Sequence, residues 1–191
     1  MVRTSAALVG ALMVCATPAL AQDFGQDFGL SEIRVGPMFH GLEATSESLL
    51  NPFETGQLED VSFEILWRTP DIDALYWLGS PRPAVGGTLN LKGREQMVHA
   101  GLNWHLPIFD TPFWVEGGLG LAAISGYTHD APPGYRNLGC HVTGYFQGSI
   151  GADIGDDWTA MLTVEHSSHA WLCNPENSGL NSLGVRIGYK F

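Results

Sequence analysis

Apolar and polar residues alternate along most of this chain with a period of two, which indicates β-strands with one apolar and one polar face. In the segment near residue 160, for example, Trp158, Ala160 and Leu162 alternate with Thr159 and Thr163. The alternation predicts eight strands, over residues 31–41, 60–68, 84–92, 95–106, 113–125, 141–154, 158–172 and 181–191. A small helical turn is expected in the link after the second strand, between residues 71 and 78.

Two all-β architectures show this alternation: a β-sandwich and a membrane β-barrel. Sandwich strands usually have about 5–6 residues, whereas several strands here are long enough for the roughly 9–11 residues of a tilted membrane crossing. The even strand count favours an eight-stranded antiparallel transmembrane β-barrel with both ends in the periplasm. Phe191, the terminal aromatic residue, looks like an outer-membrane assembly signal, so the outer-membrane assembly machinery is an expected partner.

The first residues have the pattern of a secretory signal. Arg3 supplies the positive start, residues 6–14 form an apolar run, and the small residues at 19 and 21 provide a cleavage site. The apolar run is shorter than the roughly 20 residues of a membrane-spanning helix. We therefore expect a cleaved signal peptide over residues 1–21 and a barrel over residues 22–191.

The composition agrees with a barrel in the outer membrane of a Gram-negative bacterium. Apolar residues make up 45% of the chain and charged residues only 15%, and the formal net charge is -11. So acidic a protein is not suited to bind nucleic acid. Cys140 and Cys173 remain after signal cleavage, and the hairpin of the sixth and seventh strands brings them close together at the outer rim. The sequence therefore predicts a Cys140–Cys173 disulfide.

Charged residues occupy the polar faces of several strands. A barrel of eight strands is just wide enough to be filled by side chains, so a wide pore is excluded. Buried charges are costly unless they are paired. We therefore expect a lumen filled by paired charges, contributed by Arg34, Glu64, Arg68, Glu116, Glu165 and Arg186.

The seventh strand has polar residues on its apolar face. His166 and Ser168 are two residues apart, so their side chains project from the same side of the strand, toward lipid. Polar groups facing hydrocarbon are costly and indicate a functional site. A histidine beside a serine can activate the hydroxyl as a nucleophile toward an ester. The alternative is that both residues lie at the membrane interface, where polar side chains are tolerated.

The same region resembles a known family. The run His166-Ser167-Ser168-His169-Ala170, the loop over residues 174–181 and a last strand ending at Phe191 are similar to the lipid A 3-O-deacylases, also called acyloxyacyl hydrolases. The resemblance implies a signal peptide, an eight-stranded barrel and a lipid-facing Ser-His-Glu triad. It further implies an esterase that removes an ester-linked acyl chain from the lipid A of lipopolysaccharide, without a cofactor.

Three functional positions of that family have a match in this chain. His166 matches the base and Ser168 the nucleophile. Asn177 matches the loop asparagine that holds the oxyanion, with Asn174 as the alternative.

Two positions depart from the family pattern. His169 stands where the family has asparagine, and Asn181 stands where it has the triad glutamate. An asparagine can orient an imidazole but cannot stabilise an imidazolium by charge. Glu176, in the same loop, is the alternative source of a carboxylate.

Three functions follow from these observations. The first is an outer-membrane serine esterase that acts on lipid A. The second is a non-catalytic barrel of the same fold, with a structural or lipid-binding role, and the third is an adhesion-type barrel. No metal site is expected, because the remaining histidines lack metal-ligand spacing: His40, His99, His105, His129 and His141.

Overall fold

The computed structural model describes residues 29–43, 58–170, 172–173 and 176–191. The predicted signal peptide lies outside these residues, and so does Asn174. Among the described residues, no helix is both long and apolar enough to cross a membrane.

Eight antiparallel strands form one closed barrel in sequence order, with the first strand pairing with the last. The predicted fold is therefore confirmed. The strands are β1 (Leu30–Phe39), β2 (Leu58–Trp67), β3 (Arg82–Asn90), β4 (Met97–Pro107), β5 (Phe113–Ile124), β6 (Val142–Ile154), β7 (Trp158–Ser168) and β8 (Leu180–Lys190). The short helix α1 (Asp73–Trp77) lies in the link between β2 and β3, as the sequence predicted.

The alternating pattern places apolar side chains on the outer wall. Leu162, Val185 and Ile187, for example, are 46%, 54% and 56% exposed on neighbouring strands. In a barrel that spans a membrane this surface contacts lipid tails. The short turn between β6 and β7 lies at the same end as the start of β1 and the end of β8, and we assign that end to the periplasm. The long loop between β5 and β6 lies at the outer end, whereas the link that carries α1 lies at the periplasmic end.

Paired charges fill the lumen. Arg34 is completely buried and bonds to the carboxylates of Glu32, Glu64 and Glu116. Arg186 is buried among acceptors from other strands, including Glu165. Each buried charge thus has an opposite partner, which offsets the cost of its desolvation.

One predicted lumenal charge lies elsewhere. Arg68 is exposed, because β2 ends at Trp67, and its guanidinium donates to the backbone carbonyl of Phe191 at 3.3 Å. Arg82 at the start of β3 takes the lumenal position instead and bonds to Glu32 at 3.0 Å.

The seventh strand is shorter than its pattern predicted. It ends at Ser168, because the chain turns at Ala170, which has a φ of 48° in the left-handed region. The alternation alone predicts a strand that continues to residue 172. The early end makes Ser168 the outermost residue of the strand and begins the loop over residues 169–179.

Candidate active site

His166 and Ser168 lie side by side at the outer end of β7. Oγ of Ser168 is 2.9 Å from Nε2 of His166, within hydrogen-bond distance. Both side chains are half-buried, and they belong to the row of outward side chains that includes Val164, which is 37% exposed. The structure thus brings together the two residues that the sequence singled out, on the wall that faces lipid.

Asn181 completes a chain of three side chains. It pairs with His166 in the register of β7 and β8, and its Oδ1 lies 2.7 Å from Nδ1 of His166. Its Nδ2 donates to the backbone carbonyl of Leu42 at 2.9 Å, and this bond fixes which end of the amide faces the imidazole. Because Oδ1 can only accept, Nδ1 carries the proton and Nε2 is left as the acceptor beside Ser168.

The neighbouring strand β6 leaves space beside the serine. The residue opposite Ser168 in the register is Gly144, which has no side chain, and the residue opposite His166 is Phe146. The Phe146 and His166 rings lie with their centroids 6.2 Å apart. The hydroxyl is therefore bordered by an open backbone position and an outward aromatic ring.

The loop after β7 folds over the outer end of the site. His169 is buried: its Nε2 donates to the carbonyl of Glu176 at 2.7 Å, and its Nδ1 accepts the Cys173 amide at 3.4 Å. Its own amide donates to Oδ1 of Asn177 at 3.4 Å. This histidine therefore organises the loop.

A disulfide fastens the same loop to the barrel. Cys140 and Cys173 are bonded, with Cα atoms 6.0 Å apart, and connect the loop before β6 to the loop after β7. Their sulfurs lie close to the ring of His169. Because both cysteines lie in loops rather than strands, the alternation of faces along β6 and β7 does not restrict their approach.

Gly179 fits a position that a larger residue would crowd. Its φ is 63°, and a Cβ built there would lie 3.1 Å from the carbonyl of Ser167, 3.5 Å from the His166 ring and 3.7 Å from Cβ of Ser168. Left-handed backbone favours glycine. The chain can therefore pass directly over the serine and the histidine before it enters β8.

Among the described residues, the position beside Nδ1 of His166 is held by an amide. Glu176 contributes its backbone carbonyl to His169, and Asn181 occupies the position at Nδ1 of His166. Glu165 points into the lumen, where it accepts from the Tyr145 hydroxyl at 2.6 Å.

The remaining histidines are dispersed over the described barrel. His99 is buried in the lumen and stacks on Tyr145 at 4.0 Å, and His105 lies beside Trp114 near the periplasmic end. His40, at the outer rim, is held between two carboxylates. The sequence pattern alone gave no indication of that arrangement.

Comparison with known proteins agrees with the architecture. The model of the lipid A 3-O-deacylase (PagL) family matches residues 60–190. The crystal structure of the outer membrane enzyme PagL is similar, with a TM-score of 0.58 and 15% identity, over 83% of this chain and 98% of that chain. The crystal structure of the N-terminal β-barrel domain of Pseudomonas aeruginosa OprF is also similar. Its TM-score is 0.52 at 8% identity, over 85% of this chain and 99% of that chain. No curated protein sequence matches the chain.

Proposed function

The chain belongs to the lipid A 3-O-deacylase (PagL) family of Gram-negative outer-membrane β-barrels, and from that premise we propose that it is a serine esterase that removes an ester-linked acyl chain from lipid A. One observation carries the proposal: Nε2 of His166 lies 2.9 Å from the Ser168 hydroxyl, on the lipid-facing wall. In this proposal, the outer end of β7 meets the boundary between the sugars of lipopolysaccharide and their acyl chains.

The proposed reaction has two steps. In the first, Oγ of Ser168 attacks the ester carbonyl carbon while its proton passes to Nε2 of His166. The bond between that carbon and the sugar oxygen then breaks, and the proton moves from His166 to the departing sugar oxygen. In the second, water attacks the acyl-serine with the same base, and a free fatty acid and Ser168 are formed. None of these steps requires a cofactor.

Two asparagines assist in this scheme. Asn181 holds His166 in the tautomer that accepts the serine proton. Asn177, in the loop over the site, supplies its side-chain amide to the oxyanion of the tetrahedral intermediate. Asn174 and Glu176, the alternatives for the oxyanion and acid roles, take no part in this scheme.

The neutral residue at 181 favours one other function. An amide orients the imidazole but does not stabilise the imidazolium by charge. A barrel that binds lipid A without hydrolysing it is therefore the second candidate.

A pair of serine variants separates the two functions. Purified barrel is incubated with lipopolysaccharide in detergent, and the released fatty acid is quantified. Release by the wild type and its loss in Ser168→Ala support the esterase. Ser167→Ala is the matched control, because that hydroxyl points inward and bonds to Thr143 and to the carbonyl of Gly144. If the folded wild type releases no fatty acid, the esterase is excluded and lipid binding remains as the function.

A further inference from the structure

A short segment at the outer rim holds the asparagine of the site at two points. This segment, His40–Glu43, follows β1 and is called here the outer strap. The Leu42 amide donates to the backbone carbonyl of Asn181 at 2.9 Å, and the Leu42 carbonyl accepts from the Asn181 side chain at 2.9 Å. The Leu42 side chain is buried against Phe39 and Leu183.

The first residue of the strap is clamped between two buried carboxylates. Nδ1 of His40 lies 2.8 Å from Asp60 of β2, and its Nε2 lies 2.8 Å from Glu95 in the turn between β3 and β4. All three side chains are at most 2% exposed. The second oxygen of Asp60 accepts from Asn90 at 2.7 Å. Both ring nitrogens of His40 thus act as donors, which requires a protonated imidazole.

A second anchor comes from the long loop between β5 and β6. The Arg136 amide donates to Glu95 at 2.6 Å, and its guanidinium bonds to Glu43 at 2.9 Å and to the carbonyl of Gly41. The strap is therefore fixed at His40, Gly41 and Glu43, on either side of the residue that contacts Asn181.

The protonation states of His40 and Glu95 favour this clamp at neutral pH. Burial alone lowers the pKa of His40, but the hydrogen bonds and charges of Asp60 and Glu95 outweigh it and raise the pKa to about 9. Burial raises the pKa of Glu95, but hydrogen bonds from His40 and the Arg136 amide bring it below its usual value. Two more charges lie nearby, in the ion pair of Glu59 and Arg94.

We propose that His40 and Arg136 are positioning residues for the Ser168–His166 pair, acting through the outer strap on the side chain of Asn181. The proposal rests on the proposed function. It follows from an unbroken series of contacts: His40 and Arg136 hold the strap, the Leu42 carbonyl orients the amide, and the amide orients the imidazole. Without the strap the amide can rotate and present Nδ2 to Nδ1, which sets the wrong tautomer.

Kinetics of strap variants test the proposal. We expect His40→Gln and Arg136→Gln each to lower kcat for fatty acid release from lipopolysaccharide by roughly tenfold or more, with KM changed less than about twofold. Because both act through the same segment, the double variant should be about as slow as the slower single variant. His129→Gln is the matched control, since His129 is an exposed histidine on the same outer loop as Arg136 and bonds only to its neighbour Thr128 among the described contacts.

A readout independent of turnover separates this proposal from the proposed function. In barrel labelled with ¹⁵N-histidine, the His166 Nδ1 proton should give a resonance near neutral pH that is weakened or shifted in His40→Gln and unchanged in His129→Gln. If the wild type releases no fatty acid, the proposed function fails and this resonance still decides the role of the strap. Unchanged kcat, or an unchanged resonance in His40→Gln, would overturn the positioning role.

Discussion

Oδ1 of Asn181 lies 2.7 Å from Nδ1 of His166, across the register of β7 and β8. The same amide donates to the Leu42 carbonyl, so its orientation is set from both sides. The resemblance to lipid A deacylases predicts a glutamate at this point. The chain instead has a neutral acceptor that orients the base without adding charge.

Substitutions of Asn181 separate two contributions to kcat: the orientation of the His166 imidazole and a negative charge beside it. Asn181→Ala removes the acceptor, and we expect kcat to fall by roughly a hundredfold. Asn181→Asp adds the missing charge, so kcat should rise by about tenfold or more and the acid limb of the pH–rate profile should move to higher pH. The aspartate also faces the Leu42 carbonyl without a donor, so the outer strap should lose amide-exchange protection. Equal kcat values for the wild type, Asn181→Asp and Asn181→Ala would contradict the role given to this residue.

Gly179 allows a sharp steric test. Gly179→Ala forces a methyl group to 3.1 Å from the Ser167 carbonyl at a φ of 63°. The loop must shift over the serine, and we expect kcat to fall by at least about tenfold. Gly155→Ala is the control: its φ of 66° is equally left-handed, but nothing lies within 4 Å of the added methyl group. Both variants should lose thermal stability from the left-handed φ, Gly179→Ala more than Gly155→Ala, and only Gly179→Ala should lose kcat. Equal kcat values for the two variants would refute the crowding argument.

The disulfide should matter for the site as well as for stability. Replacing Cys140 and Cys173 together by serine opens a link that spans 33 residues and frees the loop that holds Asn177 and Gly179. We expect the free energy of unfolding to fall by about 2–4 kcal/mol, together with a lower kcat. Thermal unfolding of the double variant and the wild type checks the loss of stability, and their rates of fatty acid release check the loss of kcat. An unchanged kcat would show that the loop keeps its position without the cross-link.

The His40 clamp predicts a dependence of stability on pH. Because the pKa of His40 is raised from 6.5 to about 9 in the folded protein, its contribution is complete below pH 6.5 and is lost as the pH rises through 9. The shift corresponds to about 3 kcal/mol. Thermal unfolding of the wild type and His40→Gln should therefore differ most near pH 6 and converge above pH 10. A difference in Tm that does not change with pH would contradict the protonated clamp.

Strand alternation, together with the length and even number of the strands, was sufficient to predict the barrel, because most side chains on the lipid side are apolar and most on the lumen side are polar. It was also sufficient to place His166 and Ser168 on one face. It failed at the strand ends: Arg68 lies beyond β2, and β7 stops before Ala170. Strand ends depend on loop packing, which a pattern with a period of two does not record.

The contacts that hold Asn181 in place could not be predicted from local sequence. Leu42 and Asn181 are far apart in the chain and meet only because β1 closes the barrel against β8. The role of His40 depends likewise on Asp60 and Glu95, which come from two other segments. Such contacts follow from the three-dimensional closure of the sheet and have no signature in residue spacing.

The central claim is that Ser168 and His166 form an esterase site directed at lipid A on the outer wall of the barrel. The most direct measurement is mass spectrometry of lipid A from a Gram-negative host that expresses the wild-type chain or Ser168→Ala at equal levels in the outer membrane. We predict lipid A that lacks one ester-linked acyl chain with the wild type, and unmodified lipid A with Ser168→Ala. Unmodified lipid A in both strains, with the wild-type barrel correctly inserted, would contradict the claim.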